Sequence, residues 1–194
     1  MSQSEVRVGG VQIPPELVNV HAVFLEALRQ AGISKRGRLK VRPAVVTMKK
    51  ALLSGTTSDS DSFRVPSEEV FLVKEIRGHF SFNALAAEAL GLTNITPMTV
   101  GDYVIGKARN CNISLERADQ NLAVTLGSNL CLADILPGAG GQAIRFDEMG
   151  PVWVIPPSET LKMTASLIST TAAIVGQSSN YGVMLSGAML SIVG

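Results

Sequence analysis

Tyr181-Gly182-Val183-Met184-Leu185-Ser186-Gly187-Ala188-Met189-Leu190-Ser191-Ile192-Val193 is the stretch that decides the fold class. Read as extended chain, it puts apolar residues on both faces, which marks a strand covered on both sides. Gly176-Gln177-Ser178-Ser179-Asn180 before it is a turn signal. Before that turn, Leu161, Met163, Ala165 and Leu167 alternate with Lys162, Thr164 and Ser166. The pair is expected to form a β-hairpin whose second strand is the centre of a sandwich or an oligomer seam. Gly182, Gly187 and Ala188 would let a second backbone come close, so with Tyr181 they are the candidate seam residues.

From Met163 to Gly194 there is no Asp, Glu, Lys, Arg or His, although 17% of the chain is charged. Such a tract belongs in a core, an interface or a membrane. A membrane barrel strand would alternate and carry aromatic girdles, and only Tyr181 could serve. No uninterrupted apolar run reaches the roughly 18 residues of a spanning helix. The expectation is therefore no membrane.

The same β character runs back to about residue 63. Strand candidates are Phe63–Val65, Val70–Phe80, Ala108–Ala118, Leu122–Leu126, Leu130–Ile135, Val152–Ile155, Leu161–Ser169 and Tyr181–Val193. Phe82–Leu90, closed by Gly91, is the one helix candidate among them. Pro66-Ser67-Glu68 and Pro157-Ser158-Glu159 each follow an apolar strand end and precede a long strand, so both read as corners where the chain leaves a sheet edge. The fold class expected is mainly β, an antiparallel β-sandwich with an N-terminal helix and a basic arm.

That N-terminal part is different. Pro14-Pro15 opens a helix expected to run to Ala31 and stop at Gly32, with Leu17, His21, Phe24, Leu28 and Ala31 on one stripe. From Ala27 to Ser58 the cations Arg29, Lys35, Arg36, Arg38, Lys40, Arg42, Lys49 and Lys50 meet no acid. Residues 1–58 carry a net charge of about +6 and residues 59–194 about −5, an asymmetry hidden in the overall +1. Ser54–Ser62 reads as a polar linker, which divides the chain into an arm (1–58), a linker (59–62) and a sandwich domain (63–194). Phe24, Leu28, Lys35, Arg36, Arg38, Lys40 and Arg42 are the candidate partner-contact residues of the arm. Without aromatic residues for base stacking, the arm fits an acidic protein neighbour better than nucleic acid, which stays the alternative.

Motifs for catalysis are missing from the sequence: no G-x-S-x-G, H-E-x-x-H, C-x-x-C or Walker sequence occurs. Pro137-Gly138-Ala139-Gly140-Gly141-Gln142 lacks the Lys-Ser/Thr of a phosphate loop and reads as a hairpin or interface loop. His79 shares a strand face with Glu75 and Arg77, with no nucleophile nearby in sequence. Asp59-Ser60-Asp61 and Asp147-Glu148 read as solvated loops. Cys111 and Cys131 are expected as free thiols, because no apolar secretory segment precedes them and Glu5 and Arg7 interrupt the N-terminus. The expectation is a non-enzymatic protein with no cofactor and no metal, made in the cytoplasm.

Phe63-Arg64-Val65-Pro66-Ser67-Glu68-Glu69-Val70-Phe71-Leu72-Val73-Lys74-Glu75-Ile76-Arg77-Gly78 and Val152-Trp153-Val154-Ile155-Pro156-Pro157-Ser158-Glu159-Thr160-Leu161 carry a resemblance. An apolar strand turning at Pro-Ser-Glu into a long strand resembles the jelly-roll-like structural proteins of tailed-bacteriophage virions: decoration, head-fibre, neck or collar components. The resemblance covers about residues 63–194. It implies a homo-oligomer located in the virion, bound to other capsid or neck proteins, with the arm reaching a neighbouring subunit. A sandwich-type carbohydrate-binding module is a further alternative, with Trp153 as its platform.

Overall fold

A computed structural model describes residues 6–8, 11–13, 37–52, 56–82, 100–117, 129–146, 153–169 and 179–193. The expected N-terminal helix with Phe24 and Leu28, the cations Lys35 and Arg36, the strand Leu122–Leu126 and the helix after Phe82 lie outside the described residues.

The described chain is mainly β. In order it runs β1 (Val6–Val8), β2 (Val11–Ile13), β3 (Gly37–Leu52), β4 (Ser58–Arg64), β5 (Glu69–Phe82), helix α1 (Val100–Arg109), β6 (Cys111–Arg117) and β7 (Leu130–Cys131). A one-turn helix α2 (Leu132–Ile135), β8 (Ile144–Arg145), β9 (Trp153–Ile155), β10 (Thr160–Leu167) and β11 (Ser179–Val193) follow. Seven strands form one sheet in the order β1-β2-β3-β11-β5-β8, with β9 also on β5. The other sheet is four-stranded, β4-β10-β6-β7. Pairing is antiparallel except for the short β2–β3 contact.

Strict alternation gives the smaller sheet one dry face: Cys111, Ile113 and Leu115 on β6 and Leu161, Met163 and Ala165 on β10 are fully buried. The larger sheet meets it with Ala44 and Met48 of β3, Phe71, Val73 and Ile76 of β5, and Val183, Leu185 and Met189 of β11, and all these residues form a single cluster. At one side Asp61 of β4 ties the sheets together: its Oδ2 accepts the backbone N–H of Lys49 on β3 at 3.0 Å.

β11 is indeed central, paired over its length with β3 on one side and β5 on the other. It does not form a hairpin with β10. That strand has a single apolar face and lies in the other sheet, between β4 and β6. Both edges of β11 are thus occupied by strands remote in sequence.

Four other expectations change. The polar stretch read as a linker contributes β4, held by a seven-residue ladder to β10. The basic segment is no detached arm from Gly37 onward, because β3 pairs with β11 from Arg38 to Leu52. Ala108 and Arg109 end α1 instead of opening a strand; the helix closes at Asn110, whose side chain also grips Ser169 through three hydrogen bonds of 2.8–2.9 Å. Leu130–Ile135 is a strand for two residues only and then coils into α2, because Leu132, Ile135 and Leu136 have helical spacing and bury together.

The two Pro-Ser-Glu corners do move the chain between sheets. β4 to β5 crosses from the smaller sheet to the larger, and β9 to β10 crosses back. They do so side by side: Val65 N–H donates to the Glu159 carbonyl at 2.9 Å, and Ser158 N–H to the Val65 carbonyl at 3.1 Å. Ser158 takes φ +63°, the left-handed position of a turn closed by Glu159 N–H to Pro156 O. Glu68 of the first corner is exposed. Glu159 of the second is 5% exposed and takes a two-bonded ion pair from Arg117, through Nε and Nη2.

Candidate functional site

With the core face of the larger sheet assigned, strand alternation fixes what its outer face displays. Register gives five rows across β3, β11 and β5. Three are polar or charged: Lys49–Gly182–His79, Thr47–Met184–Arg77, and Val45–Ser186–Glu75. Two are apolar: Pro43–Ala188–Leu72 and Val41–Leu190–Val70. The change of character falls at a β-bulge between Ser186 and Gly187, where Lys74 is the extra residue of β5. The bulge reverses the parity of β5, so Val70 and Leu72 share the outer face with Glu75, Arg77 and His79.

On the apolar half, Val70, Leu72 and Leu190 are buried whereas Val41 is 39% exposed, and Val45, at the near edge of the polar half, is 64% exposed. Both valines belong to β3. Among the described residues this strand pairs with β2 only at Gly37 and Arg38, and beyond them only with β11. Since Lys49 N–H points away from β11 toward Asp61, the amides of Val41, Val45 and Thr47 point the same way. Pro43, which has no N–H, occupies that outward position too, as proline does in an edge strand. Lys40, Arg42 and Pro43 are exposed along this segment.

The arm residues within view are thus strand residues. Arg38 lies opposite Val193 and Lys40 opposite Ser191. Arg42 reaches across β11 to Glu69, with Nε to Oε1 at 3.0 Å and Nη2 to Oε2 at 2.5 Å, and this carboxylate holds the guanidinium above its ordinary pKa. Of the seam candidates, Tyr181 faces the core, Gly182 and Ala188 stand in outer-face rows, and the two glycines lie hard against neighbouring strands. Tyr181 is 3% exposed, its ring edge-on to Phe80 at 5.3 Å. A Cβ on Gly182 would collide with the Met48 carbonyl of β3, and one on Gly187 with the Leu72 carbonyl of β5. The close approach these glycines permit is therefore to neighbouring strands of the same sheet.

The charged half holds a feature that sequence reading missed. Arg145 of β8 lies opposite Glu75 of β5. Glu75 Oε1 accepts the Nε–H of Arg77, and Oε2 accepts that of Arg145 at 3.3 Å. The hydrogen bond from Arg77 outweighs burial and, with the Arg145 charge, holds the Glu75 carboxyl below the usual range. A cleft of about 450 Å³ opens beside the arginines, lined by Arg77, Arg145, Pro137, Gly141, Gln142 and Ala143. A second depression of about 310 Å³, on Lys74, Glu75, Ser186 and Gly187, shares Arg145 with it. The glycine-rich stretch is a tight wall: Ala139 and Gly141 N–H donate to Leu136 O, Gly140 N–H to Pro137 O, and Gln142 N–H to Asp134 O.

His79 shares the face of Glu75 and Arg77, as alternation predicts, and its Nε2 is buried without a hydrogen-bond partner. Burial, and then the nearby Lys49 charge, push its pKa down. Neither cysteine is in a disulfide, and burial pushes the Cys111 thiol up to about 12. Among the described residues no group of three or more His, Cys, Asp or Glu could hold a metal ion, and no described helix is long and apolar enough to cross a membrane. No protein-family model matches the chain, and no curated protein is significantly similar to it.

Proposed function

We propose that this chain is a non-enzymatic structural protein that assembles into a homo-oligomer through protein contacts, as a capsid-, neck- or collar-associated component of a bacteriophage virion with a jelly-roll-like β-sandwich. One observation carries the assembly part. β3 presents Val41 and Val45, exposed on the sheet's outer face, together with outward-pointing amides. Exposed apolar residues on a strand whose outer edge is unpaired among the described residues are what strand-to-strand or sheet-face association needs.

The basic segment supports protein contact over nucleic acid. Its Arg42 is already engaged by Glu69, an acid of this chain. A sugar-binding platform on Trp153 fits less well, since that ring is half-buried and packed on Phe146 at 6.3 Å. The virion assignment rests on the sequence resemblance of the two corner segments, whose paired crossing between sheets suits a sandwich built from two related halves.

Size-exclusion chromatography with light scattering tests the assembly reading. The native chain gives a discrete oligomer, and Val41→Lys/Val45→Lys shifts it to smaller species without lowering the melting temperature of the fold. A native chain that stays monomeric at high concentration overturns the proposal.

A further inference from the structure

We propose that two copies of this chain join edge to edge through β3, antiparallel and about a two-fold axis at Ala44. The inference rests on the assembly reading above and gives its contact a register. The outer edge of β3 is bounded at both ends. At Gly37 and Arg38 it carries β2. At Lys49 its outward amide is taken by Asp61 of β4. Between these stops Lys40, Val41, Arg42, Pro43, Val45 and Thr47 are exposed, whereas Ala44 and Met48 point into the core. The outward backbone groups are the N–H and C=O of Val41, Val45 and Thr47 and the C=O of Pro43. Among the described residues no strand pairs with them.

Proline and cations on an edge strand discourage indiscriminate pairing. Here they leave one register. Two copies related by a two-fold axis pair antiparallel, and the outward residues must then meet one another in hydrogen-bonded pairs. An axis at Pro43 sets two rings face to face without a donor, and one at Arg42 sets two guanidinium groups directly opposite. Axes at Val45 or Val46 bring Val41 or Pro43 against Lys49, whose amide is already engaged. An axis at Ala44 avoids all of these. It places Val41 opposite Thr47 of the second copy, with both bonds made, and Pro43 opposite Val45, with only the bond to the Val45 carbonyl missing. The two stops then come together, since Leu39 falls opposite Lys49. The open edge is thus symmetric about Ala44. In this register Pro43 and Val45 of both copies form one apolar cluster on the outer face, flanked by Val41 and Thr47. Arg42 falls opposite Val46 rather than a cation, and keeps Glu69 as its acid.

Disulfide trapping tests the register. Ala44 would meet itself in a non-hydrogen-bonded pair, whose Cα atoms lie about 4.5 Å apart, within reach of a disulfide. In a Cys131→Ser background, which leaves the buried Cys111 as the other thiol, Ala44→Cys treated with diamide should give a covalent dimer as its main product. The two copies of Val45→Cys would lie diagonally, at about 7–8 Å, and should crosslink several-fold less. Val45→Cys crosslinking more readily than Ala44→Cys overturns the proposal. Amide hydrogen exchange of the native chain needs no variant to fold. In the oligomer the Val41, Val45 and Thr47 amides should exchange about tenfold or more slowly than in dilute monomer. A discrete oligomer in which these three amides are not slowed overturns the β3 pairing and leaves the assembly reading standing. A native chain that is monomeric at every concentration overturns both.

Discussion

Arg117 and Glu159 form the most enclosed ion pair among the described residues, and separating them gives a sharp test of how the corners are held. Their side chains are 17% and 5% exposed, and the guanidinium engages both carboxylate oxygens. Removing one partner of a buried pair costs about 3–5 kcal/mol, because the other keeps its desolvation penalty without compensation. The two removals are not equivalent here. Arg117 has a long stem and a side chain that is not fully buried, so in Glu159→Gln it can turn its charge toward water, and the loss falls at or below about 3 kcal/mol. Glu159 sits in a closed turn and has no such route, so Arg117→Met falls in the upper part of the range. Arg117→Met/Glu159→Met replaces both charges by apolar groups and should recover most of the stability, as buried pairs commonly allow. The chain has one tryptophan, Trp153, half-buried in the same strand-turn-strand unit, so urea unfolding at neutral pH can be followed by its fluorescence. At this chain length, 3 kcal/mol corresponds to a melting shift of about 6–12 °C. Glu159→Gln costing as much as Arg117→Met, or a double variant as unstable as the sum of the singles, would refute the reasoning.

Two further outcomes are expected. With its thiol pushed up to about 12, Cys111 exists as thiolate in only about one molecule in ten thousand at pH 8. Iodoacetamide should therefore modify at most Cys131 in the native protein and both thiols in urea; two equal native rates, read by mass spectrometry, would contradict the burial. The depressed Glu75 pKa contributes stability that is present above the unfolded carboxylate value near 4.5 and is lost as pH falls through the lower folded value. Glu75→Gln should flatten that part of the acid unfolding curve measured by circular dichroism, and an unchanged curve would show that the two arginines do not hold the carboxylate.

What the sequence discloses follows the range of the forces involved. β5, β10 and β11 are legible because alternation or two-faced hydrophobicity is a local pattern, and the Pro-Ser-Glu corners are legible because turn chemistry is local too. β4 is not: Ser58-Asp59-Ser60-Asp61-Ser62 has no apolar residue to announce a strand, and its ladder is supplied by β10, remote in sequence. α2 is hidden because so short a segment, three apolar residues around Asp134, fits helix or strand, and only its packing decides. The place of β3 is set by a partner at the other end of the described chain, so its cations look like a free arm until that pairing is known. The arginine cleft shows the same limit. Glu75 and Arg77 announce themselves by alternation, but nothing near Arg145 indicates that it will lie opposite Glu75. The glycines at 182 and 187 do signal close backbone approach, yet only the register tells which backbone.

The central position of β11 has a consequence for synthesis. β3 and β5 are its two neighbours and do not pair with each other, so the larger sheet has a gap until β11 fills it. On a ribosome adding about 5–20 residues per second, β3 waits for roughly 130 residues, or on the order of ten seconds, before its partner emerges. Through that interval the inner edges of β3 and β5 are open and apolar. The smaller sheet, whose β4, β6 and β10 precede β11, can close first and give β3 and β5 a surface to rest on. Pausing or truncation between residues 169 and 179 should then be the most aggregation-prone moment in the life of the nascent chain.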